Sequence, residues 1–238
     1  MRGGIRIAMT MKIISMGDGA ATLRLLAWLS PAFPTGGYAY SHGLEWAVEC
    51  EEVRDRATLA AWVLDVLRFG AGRTDAILLV HAHRADGDLE ALAGLTELAL
   101  ATAPGRERRG EAAGQGNAFV AAAKAWQPEV LSDLAALVGD IPYAVAVGAL
   151  AGVQGIDCAA VVRGAVQAFA TNLISAAVRL VPLGQSAGLA VLAGLEPIIL
   201  DVAAGAMVAT LDDLGGCCFR SDLASMRHET QYTRLFRS

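Results

Sequence analysis

The stretch Asp157–Leu180 constrains this chain most. Its interior polar residues are Arg163, Gln167, Thr171, Asn172, Ser175 and Arg179, and five of the six recur at intervals of four. A helix turns once in about 3.6 residues, so the series forms a polar stripe drifting slowly round an otherwise apolar helix. Such a helix is buried on most sides, and the chain must supply other helices to bury it. The stripe faces either a buried polar network or an aqueous or partner-facing groove.

Helical periodicity runs through nearly all of the remaining sequence. Thr22–Leu29 sets Leu23, Leu26 and Leu25/Leu29 on one face and stops before Pro31. Two prolines and a glycine pair make Pro31–Gly37 a turn-rich loop, with its aromatics as plugs. Ser41 reads as an N-cap with Glu45 near the positive helix end, and that helix runs to about Glu51. Asp55 or Thr58 caps the next helix, which stops at Gly70/Gly72. Arg73–Arg84, Leu89–Ala101, Glu107–Trp126, Val130–Val138 and Pro142–Val153 follow, then the long helix up to Pro182. Gly188–Thr210 gives one or two more segments with a break near Pro197, and after Leu211 the apolar rhythm fades. With no strand alternation and no repeat, the expectation is a single compact all-α domain of about eight to ten helices. A flexible leader (1–20) precedes the domain (21–211), and a tail (212–238) follows it.

Composition narrows the function classes. The 238 residues are 55% hydrophobic and 18% charged, against about 25% charged in an ordinary soluble domain. That excludes a disordered chain. A net charge of −5 and a pI near 5.4 leave no basic footprint for nucleic acid. Mean hydropathy of +0.45 raises the question of a membrane. The longest uncharged runs, Ile141–Ile156 and Leu180–Leu195, stop at Asp140, Asp157, Arg179 and Glu196. Both fall short of the roughly 20 apolar residues that a span requires. Arg2, Arg6 and Lys12 with no apolar core make a poor signal peptide, and Met9, Met11 or Met16 could serve as the start. Cys50, Cys158, Cys217 and Cys218 form no CxxC pair, which reads as a cytosolic chain without disulfides.

Several catalytic and metal motifs fail on context. The two lysines, Lys12 and Lys124, do not follow glycine, so there is no phosphate-binding P-loop. Gly17-Asp-Gly19 lacks the third glycine of a dinucleotide fingerprint and belongs to the leader. His81 and His83 lie in a helical pattern, about 200° apart, and read as solvated. Cys217-Cys218 has no histidine at metal-ligand spacing. Gly184-Gln-Ser186-Ala-Gly188 matches a nucleophile elbow, with Asp201, Asp212 or Asp222 and then His228 in hydrolase order. An elbow needs a strand before it, and here a long helix stands there. A serine hydrolase using Ser186 is the one concrete enzymatic alternative.

Three segments stand apart. Ser30-Pro-Ala-Phe-Pro-Thr-Gly-Gly-Tyr runs through Ala-Tyr into Ser-His-Gly-Leu-Glu45. Arg179-Leu-Val-Pro-Leu-Gly-Gln185 is a helix end and a turn. Ser225-Met-Arg-His-Glu-Thr-Gln-Tyr-Thr-Arg-Leu-Phe-Arg-Ser238 combines Tyr232, Leu235 and Phe236 with Arg227, Arg234 and Arg237. Tyr and Arg are the residue types that dominate interface hot spots. A polar segment rich in such anchors reads as one that folds on contact with a partner.

Together these segments resemble the UreF family of urease accessory proteins, over roughly Leu23–Ser238; the Cys pair is atypical. The resemblance implies an all-α, dimeric, cytoplasmic and non-enzymatic chaperone of urease maturation. Such proteins join UreD (UreH in some organisms), recruit the GTPase UreG, and enable GTP-dependent insertion of nickel into apo-urease. GTP hydrolysis belongs to UreG, nickel is handled by the complex, and no cofactor or metal is expected in this chain. The tail carries partner contacts in the family. That makes Tyr232 and Arg234, with Arg227, His228, Leu235 and Phe236, interface candidates, and Arg179 and Gln185 further ones. Apolar surface beyond what one helical core can hide is then assigned to subunit and partner interfaces.

Overall fold

In the computed structural model, residues 16–126 and 129–238 are described. The described chain is all-α and forms one domain, with eleven α-helices and no strand among those residues. The helices are α1 (Met16–Trp28), α2 (Leu44–Glu49), α3 (Arg56–Phe69), α4 (Ala71–Arg84), α5 (Leu89–Ala101) and α6 (Arg106–Ala122). Then come α7 (Glu129–Val138), α8 (Tyr143–Val153), α9 (Cys158–Leu180), α10 (Gln185–Val208) and α11 (Phe219–His228). Gly17 and Gly19, read from sequence as leader, lie inside α1, and residues 1–15 fall outside the described part.

Local chemistry sets the helix starts. Asp55 caps α3 by accepting from Thr58 N at 2.8 Å, and Thr58 Oγ1 accepts in return from Asp55 N at 3.0 Å. Asp88 and Asp157 take the first free amides of α5 and α9 in the same way. Ser41 is not the N-cap of α2, because Gly43 occupies that position. The Ser41 hydroxyl still accepts from Glu45 N at 3.2 Å. Gly43 has a φ of +76° after His42 at +61°, so two successive left-handed residues swing the loop into α2.

At the centre lies α8. Ala144–Ala151 is buried on every side, which explains why its sequence shows no polar face. It packs against α4, and the two backbones approach closely. A Cβ on Gly148 would stand 2.4 Å from the Leu79 carbonyl, and one on Gly152 would stand 2.3 Å from that of His83. The helices α6, α7 and α9 surround this pair, and α9 runs back alongside α10. An edge-to-face aromatic group ties α1 to α6 and α8. Trp28 stands 6.1 Å from Phe119, and Phe119 stands 5.7 Å from Tyr143. Phe33 plugs this group from the proline loop, 5.4 Å from Phe119.

Pro197 lies inside α10, and the halves Gln185–Gly194 and Glu196–Val208 meet at a 46° bend. By length and composition, α9 and this bent pair could each cross a membrane. In the fold α9 is a core helix, packed on α3, α4 and α10. The last carbonyls of α10 are satisfied from α4, where Arg84 donates to Met207 O at 2.7 Å and His81 to Ala209 O at 3.1 Å. His83 donates to Ile156 O at 2.7 Å. The two histidines are therefore half-buried fasteners between helices rather than the solvated side chains the periodicity suggested.

Candidate functional site: a carboxylate cradle under the tail

The three unusual segments of the sequence meet in space. The tail folds back across α2 and the start of α6, where Glu45, Glu107 and Glu111 form a cradle of buried or half-buried carboxylates. His228 is wholly buried between two of them, with Nδ1 2.7 Å from Glu107 Oε2 and Nε2 3.1 Å from Glu45 Oε2. A carboxylate can only accept, so serving both oxygens takes an N–H on each ring nitrogen. Glu45 also receives the backbone amides of Leu235 at 2.7 Å and Phe236 at 2.9 Å. Arg234 reaches Glu107 Oε1 at 3.1 Å.

The second half of the cradle holds Ser238. Its hydroxyl donates to Glu111 Oε2 at 2.7 Å, and its carbonyl accepts from Ser41 N at 2.7 Å and from the Ser41 hydroxyl. Glu111 is paired with Arg108 on the same helix and faces His42 Nδ1 at 3.6 Å. Burial would raise the Glu111 carboxyl, but the Arg108 guanidinium, His42 and the Ser238 hydroxyl outweigh it and hold it down at about 2. Burial, then Arg108, lowers His42 to about 4. Burial raises nearby Asp75 to about 6.

The loop motif has a steric role here. A Cβ on Gly43 would lie 2.7 Å from Ser225 N, so only glycine lets α11 come this close. The polar stripe of α9 meets the same loop. Asn172 donates to Gly37 O at 3.1 Å, and Arg179 donates to Tyr38 O at 2.8 Å. The guanidinium of Arg179 also sits over the Phe236 ring, 4.4 Å from its centroid. Of the two roles open to the stripe, this end of it fastens the loop, while Arg163 stays exposed.

The tail residues expected to await a partner thus divide. His228 and Phe236 face inward and are engaged with the chain's own carboxylates and Arg179. Tyr232 is fully exposed (103%) and Leu235 nearly so (75%), and Arg227, Arg237 and Arg234, which also reaches Glu107, are exposed as well. Phe219, Leu223 and Met226 continue that outer surface along α11. Gln185 is exposed at the start of α10. Glu107, Glu111, Arg108 and Asp75 escaped the sequence reading. Their one trace was the spacing of Glu107 and Glu111, four residues apart on one helix face.

The geometry does not assemble a hydrolase. Ser186 is exposed in the first turn of α10 with α9 before it, and both ring nitrogens of His228 are taken by glutamates. Among the described residues no group of three His, Cys, Asp or Glu side chains is arranged to hold a metal ion. What fold and site define is an all-helical protein with its tail clasped over a buried carboxylate–imidazole cluster.

The chain belongs to the UreF family. The UreF family model matches residues 53–196. The urease accessory protein UreF of Bradyrhizobium sp. strain BTAi1 is 49% identical over 224 residues, covering 93% of each chain. That of Methylorubrum populi is 52% identical over 223 residues, covering 91% of this chain and 98% of its own. The UreF of Xanthobacter autotrophicus is 52% identical over 220 residues, covering 91% and 90%.

Proposed function

We propose that this chain is a scaffold of urease maturation that does no chemistry itself. With UreD (UreH) and the GTPase UreG it assembles on apo-urease in the cytoplasm. There it regulates UreG and enables GTP-dependent delivery of nickel to the active site, and nickel is cargo of the complex with no resident site in this chain. The observation that carries the reading is the two-sided tail. Its inner side is spent on the cradle, and its outer side presents Tyr232, Leu235, Phe219, Leu223 and Met226 beside Arg227 and Arg237. Exposed aromatic and arginine anchors on a fixed backbone are what a protein interface requires.

A second surface supports the dimer. Along α10 the exposed residues Leu189, Ala193, Pro197, Leu200, Ala204 and Val208 follow one another at intervals of three or four. That is an apolar ridge on the outside of the domain, of the kind that obligate interfaces bury.

The test is nickel content of urease from urease-positive cells with and without this chain. Normal urease protein lacking nickel in its absence is the expected result. Full nickel loading without the chain would overturn the reading.

A further inference from the structure

The N-terminus of α6 is capped by the tail. Its own N-cap residue, Gly105, has no side chain to offer. Instead Glu229 Oε1 accepts from Arg106 N at 3.0 Å and from Glu107 N at 3.4 Å, the first two amides of the helix. The Glu229 carboxylate also pairs with Arg106 at 3.5 Å and lies at the positive end of the helix dipole. The side chains of that turn point to the same source. Glu107 is held by His228 and Arg234, and Glu111, one turn on, by Ser238. On its other side the turn borders a groove of about 760 Å³ lined by Glu90, Thr96, Glu97, Leu100, Arg109 and Leu137. Arg109 fastens that wall by donating to Leu100 O at 2.8 Å.

We propose that the tail and the first turn of α6 form one cooperative unit. Undocking the tail uncaps Arg106–Arg109, and the loosened turn carries Arg109 away from Leu100 and opens the groove between α5, α6 and α7. The tail thereby controls a surface on the far side of α6 that it does not touch. This coupling goes beyond the scaffold reading and holds whatever binds the outer face of the tail.

Hydrogen exchange of the full chain, followed by mass spectrometry without any partner, tests it. In Glu229→Ala, exchange across residues 106–109 speeds up roughly fivefold or more, the worth of a lost N-cap, while α8 is unchanged. Adding Gly105→Asp restores a local cap. Gly105 has an extended backbone, and a Cβ there meets nothing closer than 3.5 Å. The double variant recovers protection at 106–109. Arg234→Ala leaves Glu229 in place and removes only a half-exposed pair. It speeds exchange in the tail and at 106–109 together. Wild-type protection of 106–109 in Glu229→Ala overturns the proposal. So does a fast tail beside a protected 106–109 in Arg234→Ala.

Discussion

His228 Nδ1 stands 2.7 Å from Glu107 Oε2, joining residues 121 positions apart in the chain. With Glu45 on the opposite edge of the ring, one imidazole holds two carboxylates that would otherwise face each other in the interior. Removing the ring leaves Glu107 with Arg234 alone and Glu45 with only two backbone amides, and breaking a buried pair in this way costs about 3–5 kcal/mol. His228→Ala should lower the unfolding free energy by that amount in urea titrations. A loss under about 1 kcal/mol would show that the cluster is not the fastening described.

Stability against pH follows from three groups near Arg108. His42 is held down at about 4, so between pH 6.5 and 4 the unfolded chain binds a proton that the folded chain refuses. Its contribution is lost as the pH falls through that window. Asp75 runs the other way. Raised from 3.8 to about 6, it stabilises fully below about pH 3.8, and that stability is lost as the pH rises to 6. Glu111, held at about 2, contributes above pH 4.5 and loses its contribution as the pH falls towards 2. Asp75→Asn removes only the second effect. Its unfolding free energy should gain on that of the parent as pH rises from 3.8 to 6, with a constant gap outside that range. A gap constant throughout would refute the assignment.

Two glycine substitutions should have opposite signs. Gly148→Ala puts a methyl group against the Leu79 backbone, which cannot swing aside, and should cost at least about 1–3 kcal/mol. Gly110→Ala on α6 meets open space and should stabilise by roughly 0.5–1 kcal/mol. Thermal melts of the two variants against the parent decide both.

On the outer tail, stability and binding should separate. Tyr232 is bare to solvent and Arg234 makes only a half-exposed pair, worth about 0–1 kcal/mol. Tyr232→Ala and Arg234→Ala should melt within a few degrees of the parent yet co-purify poorly with UreD and UreG. Undiminished co-purification of both variants would remove the tail from the interface.

Leu200→Glu sets a charge in the middle of the apolar ridge of α10. Light scattering after gel filtration should then show a monomer where the parent self-associates. A variant that keeps the mass of the parent would place the subunit contact elsewhere.

Much of the scaffold was legible because its helices announce themselves locally. Asp55 with Thr58, the Gly70 stop and the four-residue rhythm of α9 each act within a turn or two. By contrast, α11 was invisible because its amphipathicity is inverted. Its buried residues are Ser221, Ala224, Ser225 and His228, while Phe219, Leu223 and Met226 face solvent. A pattern search reads such a segment as fading, since small polar residues fill the place of the apolar stripe. The docked tail was missed for a different reason. Its order depends on Glu45 and Glu107, more than a hundred residues upstream, and no local signal links them to His228.

The closeness of α4 and α8 depends on carbonyls of α4 resting against glycines of α8, where side chains would normally intervene. The cradle works by the opposite logic, since its closure needs residues far apart in the sequence. On the ribosome Glu45 and Glu107 precede His228 by more than a hundred residues, so they first stand without the ring that later bridges them. Glu111 has Arg108 beside it from the start and lacks only the Ser238 hydroxyl. The seam between α2 and α6 is thus sewn last by distant chain, and the exposed face of the tail is displayed only once that seam has closed.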